Sequence, residues 1–175
     1  MQTYTGIADL TMSLEGRVLS VTFNRPDSLN SLTTPMLNTL ADALDRAATD
    51  PAVKVVRLGG AARGFGSGAG RSAEDQAAQA ASVSIDDLLV AANRAVQSIA
   101  ALPKPVVAVV QGPAAGVGVS IALVSDVVLA SDKAFFMLAF TKIGLMPDGG
   151  ASALVAAAVG RIRAMSAPPR PKSNC

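Results

Sequence analysis

The residues able to do chemistry in this chain are few, and their scarcity narrows the possibilities. No histidine occurs among the 175 residues. That excludes Ser-His-Asp and Cys-His nucleophile systems, HExxH zinc sites and imidazole acid/base catalysis. Any proton transfer must use carboxylates or lysines. One carboxylate stands out: Asp148, in Leu145-Met146-Pro147-Asp148-Gly149-Gly150, has largely apolar surroundings ahead of a helical stretch. Burial there would raise its pKa toward neutrality, the condition for a carboxylate base at physiological pH. An aspartate before Gly-Gly reads equally as an ordinary helix N-cap. Gly118-Val119-Ser120-Ile121-Ala122 has the outline of a nucleophile elbow with its last glycine changed, but Ser120 has no histidine to activate it.

The second chemical signal is a pair of glycine-rich stretches, Gly59 to Gly70 and Gly112 to Gly118, each directly after a strand-like run. Glycines and small residues let a backbone N–H approach a developing oxyanion, so two such loops could aim two donors at one oxygen. Each also suits a plain turn. Gly64-Phe65-Gly66-Ser67-Gly68 completes no GxGxxG spacing and follows the third strand, which argues against dinucleotide binding.

The elements that must position these residues follow from periodicity. Leu10 to Leu14 and Val18 to Phe23 around Glu15-Gly16 predict a hairpin. Thr34 as N-cap, Pro35 behind it and Leu37, Leu40, Ala41 and Leu44 at helical spacing predict a helix from Pro35 to Ala48. Val53 to Leu58 reads as a mostly buried strand. Ser84 and Asp87 form a capping box for a helix whose apolar face is Leu88, Leu89, Ala92, Val96 and Ile99, ended by Pro103-Lys104-Pro105. Val106 to Val110 is the strongest strand; a short helix through Ala122 and a strand at Val127 to Ala130 follow. Ser152 to Arg163 reads as one helix. Strands alternating with helices argue for an α/β fold with parallel strands and crossovers.

Composition bounds the rest. Aromatic residues make up 3% of the chain and Trp is absent, which disfavours base-stacking nucleic-acid folds. The 15 basic residues outnumber the 13 acidic ones only because Arg161, Arg163, Arg170 and Lys172 follow Gly160, where no acid occurs. The basic pI thus belongs to a tail and is no evidence of a nucleic-acid surface. Cys175 can close no internal disulfide, and the N-terminus lacks a signal-peptide pattern, so a cytoplasmic location is expected. Pro105 to Ser125 is uncharged and long enough to span a bilayer, but its Gly, Pro and Ser interruptions read as strand, loop and helix start. No metal site and no membrane partner are expected. Residues 1–165 read as one domain, and 166–175, SAPPRPKSNC, as a disordered Pro-rich basic tail.

Taken together these residues resemble the crotonase superfamily, the enoyl-CoA hydratase/isomerase family. Asn24-Arg25-Pro26-Asp27-Ser28-Leu29-Asn30-Ser31-Leu32 is similar to that family's NRPxxLNAL segment, and Arg63 to Gly70 to its xxFSAGAD loop. Lys104-Pro105 to Asp126 resembles KPxIAAVxGxAxGGG with its similarly placed aspartate, and Phe140 to Gly150 completes the series. Four segments in the right order over residues 8–165 make the match specific.

The resemblance implies a crotonase-like α/β spiral of ββα units, and a small-molecule acyl-CoA thioester as partner. It makes the backbone N–H groups of Ser67 and Val117 an oxyanion hole for the thioester carbonyl as it becomes an enolate, each donor worth about 3–4 kcal/mol in the transition state. Arg25, Asp27, Ser28 and Leu29, with Ser67, Gly68, Ala69, Gly70 and Val117, become the CoA and acyl-CoA contacts. No resident cofactor is implied, CoA being part of the substrate. The two glutamates that position water in hydratases are replaced by Ser120 and Phe140, whereas Asp148 falls where some enoyl-CoA and dienoyl-CoA isomerases carry their catalytic carboxylate. Gly70 and Val117 depart from the usual aspartate and glycine.

The expected activity is therefore isomerase-like, with Asp148 as general base; the alternatives are an enoyl-CoA hydratase and an inactive acyl-CoA-binding fragment. The pattern stops near Met165, where the family continues as helices that cover the acyl site and build a homotrimer or dimer of trimers. A frameshift or early stop is the expected origin of the tail. Without those helices, the apolar faces of Leu37, Leu40 and Leu44 and of Ile99 are expected to lack cover, leaving the chain prone to aggregation or dependent on a partner.

Overall fold

The computed structural model describes residues 3–68, 85–138, 140 and 146–166. Strands β1 (Leu10–Glu15) and β2 (Val18–Phe23) form the expected hairpin, pairing Leu10 with Phe23 through Glu15 with Val18. Gly16 and Arg17 both take positive φ, at 53° and 71°. That two-residue turn matches the right-handed twist of the strands it joins. Helix α1 (Thr34–Thr49) leads to β3 (Val55–Gly60), α2 (Ile85–Ala101) to β4 (Val106–Val110), and α3 (Val117–Val124) to β6 (Val127–Ala130). The main sheet runs β1-β2-β3-β4-β6, parallel from β2 onward, because each crossover carries a helix.

A second, small layer carries the chemistry. Strands β5 (Pro113–Ala115) and β7 (Phe135–Met137) pair in parallel, and Gly66 bridges to Ala114 on the other side of β5. Each turn of the chain thus places one strand in the main sheet, one short extended segment in the small layer and then a helix. This is the ββα spiral expected above. Alternate residues of the main sheet, Leu19, Val21, Phe23, Val56, Leu58, Val106, Ala108 and Val110, share one buried core with the apolar stripes of α1 and α2. Phe23 and Phe65 meet edge to face at 5.7 Å, tying the hairpin to the first glycine-rich loop. Lys104 donates to the Ala47 and Asp50 carbonyls at 2.5 and 2.6 Å, satisfying acceptors that α1 leaves open at its C-terminal end.

Several expectations change in detail. The cap of α1 is Thr33, whose hydroxyl accepts from the Met36 N–H, so Thr34 is already helical. Gly59 and Gly60 extend β3 rather than opening a loop, and α3 runs two residues past Ala122. Leu89 is exposed, because α2 turns Ala91 and Ala95 inward instead. Ser152 to Arg163 is not one helix: Gly160, at φ 81°, separates α4 (Ala151–Val159) from α5 (Arg161–Ser166). Ser84, Ala69, Gly70 and residues 167–175 lie outside the described residues.

The expected loss of cover falls elsewhere. Leu37, Leu40, Leu44 and Ile99 are fully or almost fully buried, because α1 and α2 pack against each other and the sheet. Exposed apolar side chains among the described residues include Val127 and Leu129 on the edge strand β6, Phe135 and Phe136 on β7, and Ile162 and Met165 on α5. Among the described residues no helix is long and apolar enough to cross a membrane. Helix α3, apolar on every side, is buried from Val117 to Ala122, as such a helix must be.

Candidate functional site

The two glycine-rich stretches run side by side. Phe65 and Gly66 N–H both donate to the Pro113 carbonyl, at 3.0 and 3.2 Å, and Ala115 N–H returns a bond to the Gly66 carbonyl at 2.8 Å. This places Ser67 and Gly68 beside Gly116 and Val117. Gly116 has φ 52° and ψ −125°, a conformation essentially reserved for glycine, and a Cβ on it would lie 3.5 Å from the Gly68 Cα. A Cβ on Gly118 would lie 2.5 Å from the Gly66 carbonyl oxygen, so glycine there is what lets α3 start against the opposite backbone. Val117 is the first residue of α3, where N–H groups have no intrahelical acceptor. Among the described residues the amides of Ser67 and Val117 donate no hydrogen bond. The valine side chain is buried in the core, so replacing a glycine there leaves the N–H in place.

A polar web holds this arrangement. Asn30, fully buried, donates to the Ala61 and Gly64 carbonyls at 2.9 and 2.7 Å and accepts from the Arg25 N–H at 2.8 Å. Gln111 donates to the carbonyls of Gly60 and Gly64 at 2.8 and 2.7 Å. Leu32 N–H reaches the Gly68 carbonyl at 2.8 Å. Neither Asn30 nor Gln111 was assigned a role from the sequence. The available signal was a short amide in an apolar frame at a turn, since Asn tolerates the left-handed conformation that it adopts here, φ 59°. The loop of Arg25, Asp27, Ser28 and Leu29 is a single 3-10 turn, Pro26–Ser28, with Asp27 exposed. The Arg25 guanidinium donates to the Ser31 carbonyl at 2.9 Å and pairs with Asp9 at 3.5 Å, so it organises this loop.

Asp148 precedes α4 but does not cap it. The helix cap is Gly150 with no side-chain hydrogen bond, and only the Asp148 carbonyl engages the helix, accepting from Ala151 N–H at 2.9 Å. The residue is half-buried, and its Oδ1 is a buried acceptor with no partner among the described residues. Burial holds its carboxyl above the ordinary aspartate range, opposed by a hydrogen bond from its own backbone. The Ser120 hydroxyl, fully buried, lies 3.4 Å from the Asp148 carbonyl, and a Cβ on Gly149 would sit 3.2 Å from that hydroxyl. Ser120 is one helical turn beyond Val117, a rise of about 4.5 Å, which brings the Asp148 turn close to the second amide. Phe140 is buried with its ring edge 3.8 Å from where a Gly116 Cβ would be.

Beyond Phe140 and Pro147 opens a cavity of about 240 Å³, lined by Leu138, Ala151, Val155, Ala156 and Met165, with Arg161 at its margin. Its walls are almost wholly apolar. Among the described residues no cluster of His, Cys, Asp or Glu could hold a metal ion.

Residues 13–168 match the family model described as Enoyl-CoA hydratase/isomerase. The 1,2-epoxyphenylacetyl-CoA isomerase of Escherichia coli K12 is 38% identical over 158 residues, covering 87% of this chain and 58% of that protein. The 2,3-dehydroadipyl-CoA hydratase of the same organism is 34% identical over 155 residues, covering 89% and 59%. The crystal structure of an enoyl-CoA hydratase from Mycobacterium avium subsp. paratuberculosis K-10 superposes with a TM-score of 0.84 at 65% identity, over 94% of this chain and 64% of that one. The chain spans about three fifths of the length of these curated relatives.

Proposed function

The chain belongs to the enoyl-CoA hydratase/isomerase family, and from that premise we propose that it acts on acyl-CoA thioesters in the manner of an isomerase. In this reading Asp148 removes a proton from the carbon next to the thioester carbonyl. The electron pair moves onto the carbonyl oxygen, where the N–H groups of Ser67 and Val117 hold the developing charge. Asp148, now protonated, returns the proton two carbons further along the delocalised enolate, and the double bond shifts from the 3 to the 2 position. One acid-base group suffices, because the proton taken is the proton given back. Hydration would need groups that orient and deprotonate water. A serine hydroxyl spent on a carbonyl and a phenyl ring occupy the two positions that would carry them.

The observation carrying this reading is the buried carboxylate oxygen of the half-buried Asp148, without a partner among the described residues, in a chain without histidine. Its raised pKa favours uptake of a proton, and the apolar cavity behind Phe140 suits an acyl tail. No resident cofactor enters the scheme, and the setting we infer is cytoplasmic. The assembly we infer for a protein of the relatives' full length is a homotrimer or dimer of trimers. The test is to offer the purified chain 3-enoyl-CoA and 2-enoyl-CoA beside an Asp148→Asn variant. Double-bond migration abolished by the substitution supports the reading. Hydration of 2-enoyl-CoA, or binding of both substrates without turnover, replaces it.

A further inference from the structure

Ser67 carries two donors that serve different loops. Its amide, beside the second glycine-rich stretch, donates no hydrogen bond among the described residues. Its hydroxyl donates to the Ser28 carbonyl at 2.8 Å, 39 residues away along the chain. Ser28 closes the single turn Pro26–Ser28. Its own hydroxyl is spent within that turn, donating to the Arg25 carbonyl at 3.2 Å and accepting from Ser31 N–H at 3.3 Å. Leu29 and Asn30 follow, both left-handed at φ 54° and 59°. Asparagine tolerates that region but leucine is strained in it, and such strain persists only where surrounding bonds over-determine it. Asn30 ties the turn to Ala61 and Gly64. Leu32 N–H reaches the neighbouring Gly68, and among the described residues the Ser67 hydroxyl is the bond that ties the turn to the residue whose amide is placed at the thioester oxygen.

We propose that the Ser67 hydroxyl is a positioning group that couples occupancy of the Arg25–Leu29 loop by coenzyme A to the placement of the Ser67 amide. This rests on the reading of that loop as the CoA contact and of Ser67 as an oxyanion donor. The physical logic is that binding energy from a non-reacting part of the substrate sets the geometry at the reacting part. A turn already strained at Leu29 shifts as a unit when ligand contacts it, and the hydroxyl carries that shift to residue 67. Ser67→Ala removes this tie and leaves the N–H; Ser67→Thr keeps both.

The test uses the full chain and two probes. Coenzyme A without an acyl group is added while backbone amide hydrogen exchange is followed in the wild type, Ser67→Ala and Ser67→Thr. In the wild type and the threonine variant, CoA slows exchange in residues 25–32 and also at the residue 67 amide; in the alanine variant 25–32 still respond, and the response at residue 67 is lost, since the Asn30–Gly64 and Leu32–Gly68 bonds remain. Kinetics supply the second readout. The kcat advantage of a CoA thioester over the same acyl group on N-acetylcysteamine falls about fivefold in Ser67→Ala, the worth of one hydrogen bond, and is restored in Ser67→Thr. Equal protection of the residue 67 amide in the wild type and Ser67→Ala overturns the coupling while the CoA-loop reading stands. Absence of protection at 25–32 in the wild type overturns both.

Discussion

Replacing Asp148 by asparagine should stabilise the protein at neutral pH while removing its activity. The carboxylate has a buried oxygen without a partner, and burial raises its pKa in the folded state. Below the ordinary aspartate value of 3.8, both folded and unfolded chains carry the proton and the group is neutral to stability. As pH rises through that value the unfolded chain loses its proton first. Stability then falls with pH until the folded-state pKa is passed, and the cost stays constant above it. Leaving a charged acceptor buried and unsatisfied costs about 1–3 kcal/mol more than leaving the neutral amide of asparagine in its place. Asp148 is half exposed and solvent screens that side, so the low end applies, about 1 kcal/mol. For a chain of this size that corresponds to a rise of roughly 2–4 °C in Tm. Thermal melts of the two proteins at pH 3.5 and pH 7.5 check this: the curves coincide in acid and separate at neutral pH, the variant melting higher. A variant that melts lower at pH 7.5, or by the same margin at both pH values, refutes the claim that this carboxylate is held against its solvation preference.

Other outcomes follow from the same geometry. Isomerase activity of the wild type should fall as pH is lowered through the raised pKa of Asp148, because the base must be ionised to accept a proton; a rate profile in a constant-ionic-strength buffer series reads it. Gly118→Ala should cut kcat about 100-fold, since its Cβ must push the Gly66 carbonyl from 2.5 Å to ordinary contact, a displacement of about 1 Å at the neighbouring amide; steady-state kinetics with the CoA thioester measures it, and an unchanged kcat removes the Ser67 amide from the mechanism. Asn30→Ala should lower stability by about 2–3 kcal/mol in urea unfolding, because it strands the Ala61 carbonyl and the Arg25 N–H and leaves only Gln111 on Gly64. Leu129→Lys, placing a charge on the edge strand β6 where Leu129 is 56% exposed, should reduce concentration-dependent self-association measured by light scattering.

What could be read from the sequence was whatever depends on short-range chemistry. The hairpin and the strands at Val106 and Val127 followed from runs of β-branched residues between turn signals, and α1 from apolar spacing at a helical period. The lack of histidine, the position of Asp148 and the two glycine-rich stretches were likewise visible, and they directed attention to main-chain donors and a single carboxylate; Ser67 and Val117 as those donors came from the family resemblance alone. Strand β7 was missed because Phe135–Met137 is three residues long and gains its identity only by pairing with Pro113–Ala115. The break at Gly160 was hidden because one glycine in an Ala/Val-rich run costs only about 1 kcal/mol, too little to decide between a helix and its interruption.

The sequence by itself determined which groups could act, since residue identity limits proton transfer and backbone approach before any fold exists. The tertiary structure decided what each group faces. Only the packing of three loops made Asn30 and Gln111 the struts of the site, turned the Arg25 guanidinium to Ser31 and Asp9, and placed Ser67 between two loops. It also left one oxygen of Asp148 enclosed without a partner rather than bonded to its own helix. Those are contacts between residues up to 51 positions apart, and their energies depend on distances and burial that no local pattern encodes.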